Sequence, residues 1–314
     1  MPAKKPSSKK LNLLVCINPS ASFGNRRTVG PALVSTLRGL GHEVTSLTEP
    51  SYAELVDAGR KAIAKKPDAL IVVGGDGMVH LGVNLVAKTK VPLGIVPSGT
   101  GNDMARALGI PYDNTEAAIE SLVAALEAGP RVIDAGLIRH VDADTGAKKE
   151  TWFACAISAG FDAIVNERAN HMTRPKGPSR YIIALGIELV KLKPIEYELT
   201  LDGVTTVTKA SLISIGNGVS IGGGMKITPD AKLDDGLLDV LVVKPLSRVA
   251  FMRIFPRVFK GEHLTDPRVT VQRAKRIVIA SPGVAAFGDG ERLGLLPIDV
   301  EVVPKALHVL APRP

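Results

Sequence analysis

Aromatic residues are scarce, with Phe, Trp and Tyr together making up 4% of the 314 residues. The core must therefore rest on Val, Leu, Ile and Ala, and no basic stretch interleaves with stacking rings as in a single-strand nucleic-acid binder. Two cysteines, Cys16 and Cys155, do not make a disulfide scaffold. Both sit in apolar, strand-like runs and read as reduced, buried thiols. No apolar run reaches the ~18 residues of a membrane-spanning helix. Gly (31) and Pro (22) stay short of the low-complexity range, which excludes a disordered or collagen-like chain. Two nucleotide fingerprints are also missing. No G-x-G-x-x-G follows the first apolar run, and no G-x-x-x-x-G-K-[ST] occurs anywhere.

What is present is an ordinary globular composition, 45% hydrophobic and 22% charged, long enough for about two domains. The 39 basic and 31 acidic residues leave a net charge of +8. A nucleic acid, an anionic membrane surface, a phosphorylated substrate or a merely solvated basic surface would each fit that excess. Residues 1–10 carry Lys4, Lys5, Lys9 and Lys10 ahead of a short apolar run that Asn12 interrupts and Asn18-Pro19 stops. That run is too short for a secretory core, so the segment reads as a flexible basic tail and the chain as cytoplasmic.

From residue 11 to about 135, strands and helices alternate. Apolar runs at 11–17, 69–73 and 92–96 predict strands, 43–47 reads as a further strand, and a helix over 28–40 accepts Pro31 in its first turn. Ser51 with Glu54, and Asp113 with Glu116, predict capping boxes for two further helices. Repeated strand–helix units predict a doubly wound parallel sheet. After about residue 136 the texture becomes β-rich, with strands at 151–158, 195–201, 204–210, 212–215, 237–243, 269–271 and 276–280. Asp202-Gly203 marks a hairpin, because that pair accepts the positive φ of a type I′ turn. Helices are expected over 180–192 and 246–260.

Three small-residue loops follow strands of the first half, where open α/β sheets bind ligands. They are Asn18-Pro19-Ser20-Ala21-Ser22, Gly74-Gly75-Asp76-Gly77-Met78 and Gly99-Thr100-Gly101-Asn102-Asp103. Small residues let the backbone approach phosphate oxygens, and each loop feeds a helix whose N-terminus favours an anion. One such loop would be an ordinary turn; three, after the first, third and fourth strands, favour a ligand that carries phosphate.

At these residues the chain resembles the bacterial diacylglycerol kinase and lipid kinase family, whose catalytic domain is shared with sphingosine kinases. The likeness continues through residues 228–236 (TPDAKLDDG), 261–263 (GEH) and 288–291 (GDGE). It implies an N-terminal α/β nucleotide domain at 11–135, completed by about 297–314, and a β-sandwich lipid domain at 136–296. It implies ATP as co-substrate, Mg2+, and transfer of the γ-phosphoryl group to diacylglycerol. The nucleotide would lie along Asn18, Pro19, Ser20, Ala21, Ser22, Thr48, Gly75, Asp76, Gly77, Met78, Val79, His80, Leu81 and Thr100. Glu291 matches the base, with Asp289 as a catalytic neighbour. An extended segment would point both to one face. Asp76 would serve catalysis, and Asp103 would join a magnesium–water network. A structural Mg2+ would sit on the Lys232 carbonyl, the Asp235 carboxylate and the Leu237 carbonyl. The resemblance also implies a homodimer.

Without the resemblance, Asp289-Gly290-Glu291 reads as a hairpin turn, Asp234-Asp235-Gly236 as a tight turn, and Asp76 and Asp103 as helix caps. Met78 stands where the family has threonine, which removes a hydroxyl, and Ala21-Ser22 stand where Ser-Gly is commoner. The alternatives are a kinase for phosphatidylglycerol or a sphingoid base, an NAD kinase, and an inactive lipid-binding regulator. No nucleic acid is expected as partner. Arg168, Arg174, Lys176, Arg180, Lys191 and Lys193 form a basic cluster suited to transient contact with an anionic membrane. His171 and His263 lack a Cys or His partner at metal spacing and read as surface or loop residues.

Overall fold

The computed structural model of the chain describes residues 9–18, 28–172 and 179–313. The chain divides at Ile133/Asp134 and Pro304/Lys305 into two compact units.

The first unit contains β1 (Asn12–Ile17), α1 (Val29–Gly39), β2 (Glu43–Leu47), α2 (Tyr52–Ile63), β3 (Ala69–Gly74), α3 (Asp76–Val86), β4 (Leu93–Pro97), α4 (Asp103–Ala107) and α5 (Thr115–Ala128). Its strands run parallel in the order β2-β1-β3-β4. β3 is apolar at every position because it is buried throughout, as a central parallel strand should be. β2 is largely exposed at the edge. Leu33, Leu37, Ile71 and Leu122 pack in one core from helices and sheet, and each such buried side chain contributes about 2 kcal/mol. Ser51 caps α2 as expected: its Oγ accepts from the Glu54 N–H at 3.3 Å and donates to Glu54 Oε2 at 2.8 Å. The cap of α5 is a correction. Asn114, not Asp113, accepts the Ala117 N–H, at 3.1 Å.

The second unit begins within β5 (Arg131–Val141) and continues through β6 (Lys148–Phe153), β7 (Ala156–Gly160), α6 (Phe161–His171), α7 (Ser179–Val190), β8 (Ile195–Leu201), β9 (Val204–Ala210), β10 (Leu212–Gly216) and β11 (Leu238–Val243). Then come α8 (Arg248–Ile254), two 3-10 turns, β12 (Val269–Ala274), β13 (Arg276–Ala280), β14 (Ala285–Gly288), β15 (Glu291–Leu295) and β16 (Ile298–Leu310). One antiparallel sheet has the order β12-β11-β10-β7-β14-β15. β9, β8, β13 and the start of β16 form another antiparallel array. Ile157, Ile213 and Ala286 of the first meet Leu199, Ile277 and Val300 of the second in one core, which makes a sandwich. β16 then leaves this unit, and its last residues pair in parallel with β4 of the first.

Three expectations change here. The strand over 151–158 is two strands, broken at Ala154-Cys155. The helix over 246–260 turns 3-10 after Ile254, where Pro256 removes a backbone donor. β5 was not expected, because Asp134 and His140 interrupt its apolar pattern.

Candidate active site

In the first unit, the β3 and β4 loops meet backbone to backbone. A Cβ on Gly99 would lie 2.4 Å from Gly75 Cα and 2.9 Å from Asn102 Oδ1, so the approach requires glycine. The Ser98 N–H donates to the Gly74 carbonyl at 2.8 Å. Asp76, at the start of α3, reaches the other loop: its Oδ2 accepts from the Asn102 N–H at 2.9 Å and its Oδ1 from the Asp103 N–H at 2.8 Å. Asp76 thereby caps α4, with Asn102 held in the left-handed region at φ 55°. Asp103 is itself buried.

Met78, Val79 and Leu81 are buried, so only their main chain could face a nucleotide. The N–H groups of Met78 and Val79 already donate to the Gly75 carbonyl. Met78 folds over Gly74, whose hypothetical Cβ would lie 2.3 Å from Met78 Cγ. His80 lies within α3, with Nε2 3.3 Å from Asn84 Nδ2. Thr48 and Thr100 are exposed at the ends of their strands and loops. Asn18 follows β1 and donates its N–H to the Val73 carbonyl at 3.1 Å. Pro19, Ser20, Ala21 and Ser22 lie outside the described residues.

In the second unit, Asp289 and Glu291 do not share an extended segment. Asp289 (φ 49°) and Gly290 (φ 86°) form the turn of the β14–β15 hairpin, in which Gly288 pairs with Glu291. Positive φ at both turn residues is what a two-residue type I′ turn requires. The Asp289 carboxylate accepts from three main-chain groups: the Ala154 N–H at 2.8 Å, the Cys155 N–H at 2.9 Å and the Ala156 N–H at 3.0 Å. Glu291 opens β15 and is exposed; among the described residues no hydrogen bond or ion pair engages its carboxylate. Its neighbour Arg292 pairs with Glu167 of α6 at 3.1 Å.

The loop before β11 is docked by Asp134, which sequence reasoning did not single out. Asp134 Oδ2 accepts the Gly236 N–H at 2.7 Å, and the Asp134 N–H donates to the Leu233 carbonyl at 2.6 Å. A lone acid inside an apolar strand was the available signal. Asp235 Oδ1 accepts the Leu237 N–H at 3.1 Å, and its Oδ2 lies 3.8 Å from Arg273 Nη1, beyond hydrogen-bond reach. One carboxylate with the Lys232 and Leu237 carbonyls is an all-oxygen donor set, and it fits Mg2+ in kind. Among the described residues no three His, Cys, Asp or Glu side chains gather as for a metal. An ion here would thus depend on main-chain oxygens, water or phosphate.

The second unit also holds an apolar cavity, walled by Phe161, Leu185, Leu241, Phe251 and Ile254. Asp162, Ser214 and His263 are its polar lining residues. The expectation of a surface His263 is therefore corrected. It is 1% exposed, its Nε2 lies 3.1 Å from the Ile227 carbonyl, and burial lowers its pKa. Arg168 of the basic cluster is paired with the buried Glu188, linking α6 to α7. Arg174 and Lys176 lie outside the described residues. No helix among the described residues is long and apolar enough to cross a membrane.

Residues 12–137 match the diacylglycerol kinase catalytic domain, and residues 155–311 match the YegS C-terminal NAD kinase beta sandwich-like domain. A diacylglycerol kinase of Mycobacterium tuberculosis (strain ATCC 25618 / H37Rv) is 38% identical over 297 residues, covering 94% of each chain. One from Bacillus subtilis (strain 168) is 28% identical over 87% of each. Among solved structures, a diacylglycerol kinase from Bacillus anthracis str. Sterne superposes with a TM-score of 0.71 at 23% identity, over 98% of each chain. An NAD kinase from Archaeoglobus fulgidus in complex with ATP shares the fold at TM-score 0.51 and 14% identity, over 96% of this chain and 93% of that one. Match, identity and coverage together place the chain in the diacylglycerol kinase family, as a lipid kinase.

Proposed function

We propose that the protein transfers the γ-phosphoryl group of ATP to the free hydroxyl of diacylglycerol, giving phosphatidate. The observation that carries a lipid acceptor is the apolar cavity of the second unit, which suits an acyl chain and would leave the polar groups of a dinucleotide unpaired. Thr48, Thr100 and the β1, β3 and β4 loops bind the nucleotide. Asp76 contributes by holding the β3 and β4 loops together, since both its oxygens are on the main chain. Glu291 takes the proton of the acceptor hydroxyl. That oxygen forms the new bond to the γ-phosphorus as the bond to the bridging oxygen of ADP breaks. Mg2+, when bound, would supply neutralisation of phosphate charge, and Asp235 with the Lys232 and Leu237 carbonyls would hold a structural ion.

Labelled γ-phosphate should pass from ATP to diacylglycerol in mixed micelles, with phosphatidylglycerol, a sphingoid base and NAD as competing acceptors. Glu291→Gln should lower turnover by about 10²–10⁴-fold. Phosphorylation of NAD with every lipid inert would overturn the reading.

Access to a substrate dissolved in a bilayer calls for peripheral docking. Ile183, Ile187 and Val190 are exposed at i, i+4 and i+7 of α7, and Val249 and Met252 are exposed on α8. Lys191 and Lys193 are exposed beside the end of α7. A basic residue near an anionic surface contributes about 1 kcal/mol. Binding to anionic vesicles should exceed binding to neutral ones and weaken with salt. Equal sedimentation with both vesicle types would remove the electrostatic part.

A further inference from the structure

We propose that Asp289 is a positioning residue, whose carboxylate holds the main chain of 154–156 and so sets the Glu291 hairpin, and that it neither takes the substrate's proton nor ligates a metal. The proposal rests on Glu291 as the base.

Its first support is where the carboxylate points. Ala154 and Cys155 are buried at the break between β6 and β7, and Ala156, also buried, is the first residue of β7. Buried donors need acceptors. Asp289 Oδ1 takes two of the three and Oδ2 the third, and the Asp289 N–H returns a bond to the Ala156 carbonyl at 2.9 Å. A carboxylate has about four lone-pair positions, so three fixed N–H groups occupy most of them. The segment is pinned from its other side as well. Asn217 Nδ2 donates to the Ala154 carbonyl at 2.8 Å, and the Asn217 and Gly218 N–H groups donate to the Cys155 carbonyl, both at 2.8 Å. The hairpin tip thus rides on a doubly anchored stretch of backbone.

The second support is a copy of the same device without catalytic residues. Asp202-Gly203 closes the β8–β9 hairpin with φ 47° and 87°. The Asp202 N–H donates to the Arg276 carbonyl at 2.9 Å, and its Oδ1 accepts from the Lys275 N–H at 2.9 Å and the Arg276 N–H at 2.8 Å. Arg276 is the first residue of β13, as Ala156 is the first of β7. In both hairpins the aspartate docks on the first residue of a neighbouring strand and the residue before it. The arrangement at Asp289 is therefore one the fold uses where no chemistry follows.

The test compares D289G, D289N, E291Q and D202G, with kcat and the KM for ATP and diacylglycerol measured well below each melting temperature. Glycine accepts the turn's positive φ, so D289G removes the carboxylate without strain. Asparagine keeps Oδ1 as acceptor and tolerates the conformation. D289G should lose about 10²-fold in kcat, the cost of a misplaced group, with both KM values nearly unchanged. D289N should recover most of that loss. D289G/E291Q should be no slower than E291Q alone. D202G should melt earlier with kcat unchanged.

D289N as slow as D289G would show that the charge itself is used, and would overturn the proposal while E291Q still reports on the base. A rise in the Mg2+ concentration needed for half-maximal rate in D289N would overturn it in favour of a metal ligand. D289G as fast as wild type would also overturn it. Unchanged turnover in E291Q would remove the base, and the proposal with it.

Discussion

The two Asp-Gly hairpins of the second unit match in turn geometry and docking contacts and, in the function proposed above, differ in consequence. Their turn residues have φ 47° and 87° in one, 49° and 86° in the other. Each aspartate clamps the main chain at the start of a neighbouring strand. What differs is the residue that opens the second strand, exposed Val204 in β9 and exposed Glu291 in β15. The clamp is a fold device that the sequence pair Asp-Gly supplies wherever a tight hairpin must dock. In the proposed reading, chemistry enters only through the side chain it presents. An aspartate two residues from the glutamate proposed as base thus serves the turn before it serves any chemistry.

The glycines of the two turns offer the sharpest way to break this comparison. Neither Gly203 nor Gly290 has a heavy atom within 4 Å of where a Cβ would stand, so alanine there meets only backbone strain. That strain is about 1–2 kcal/mol at either site. G203A and G290A should therefore lower the melting temperature equally. Turnover should fall about tenfold or more in G290A, because the bent turn moves Glu291, and should not fall in G203A. Equal kinetic losses, read from initial rates of phosphate transfer, would mean that Glu291 gains nothing from its position after the turn.

The same comparison explains how far the sequence could be read. Local signals carried most of the first unit. The buried runs of β3 and β4, the Ser51–Glu54 box and the loops after each strand all depend on neighbours a few residues apart. The β8–β9 hairpin was legible for the same reason, since Asp202 and Gly203 state their own turn. The β14–β15 turn was legible only as an alternative, because a two-residue spacing between carboxylates also fits an extended strand. The break after Phe153 was invisible. Its N–H groups find their acceptor at Asp289, more than 130 residues away, and no periodicity encodes that pairing. The burial of His263 was hidden likewise, because the apolar walls around it come from α6, β11 and α8. Among the candidate site residues, the glycines and Asp76 were readable from their loops. The role of Asp134 in docking the loop before β11 needed the fold.

The smallest expected effect separates the two docking strands by charge. At the Asp202 hairpin, the guanidinium of Arg276 forks onto Asp299, with Nε to Oδ1 at 3.0 Å and Nη2 to Oδ2 at 2.7 Å. Arg139 pairs with Glu301 beside it at 2.7 Å. Hydrogen bonds from these arginines hold the Asp299 and Glu301 carboxyls below their usual range. Ala156, the docking residue of the other hairpin, has no side chain to charge. A depressed carboxyl pKa adds stability that is present above the unfolded value of about 4 and is lost as pH falls through the folded value. R276M should therefore melt slightly below wild type at neutral pH, and that gap should close as pH drops below about 4. The exposure of these charges keeps the gap small and makes it shrink in salt. The deficit of G290A should not change with pH over the same interval, since backbone strain does not titrate. A gap for R276M that stays constant from neutral to acid pH would show that the methylenes of Arg276, and not its charge, support the strand on which Asp202 docks.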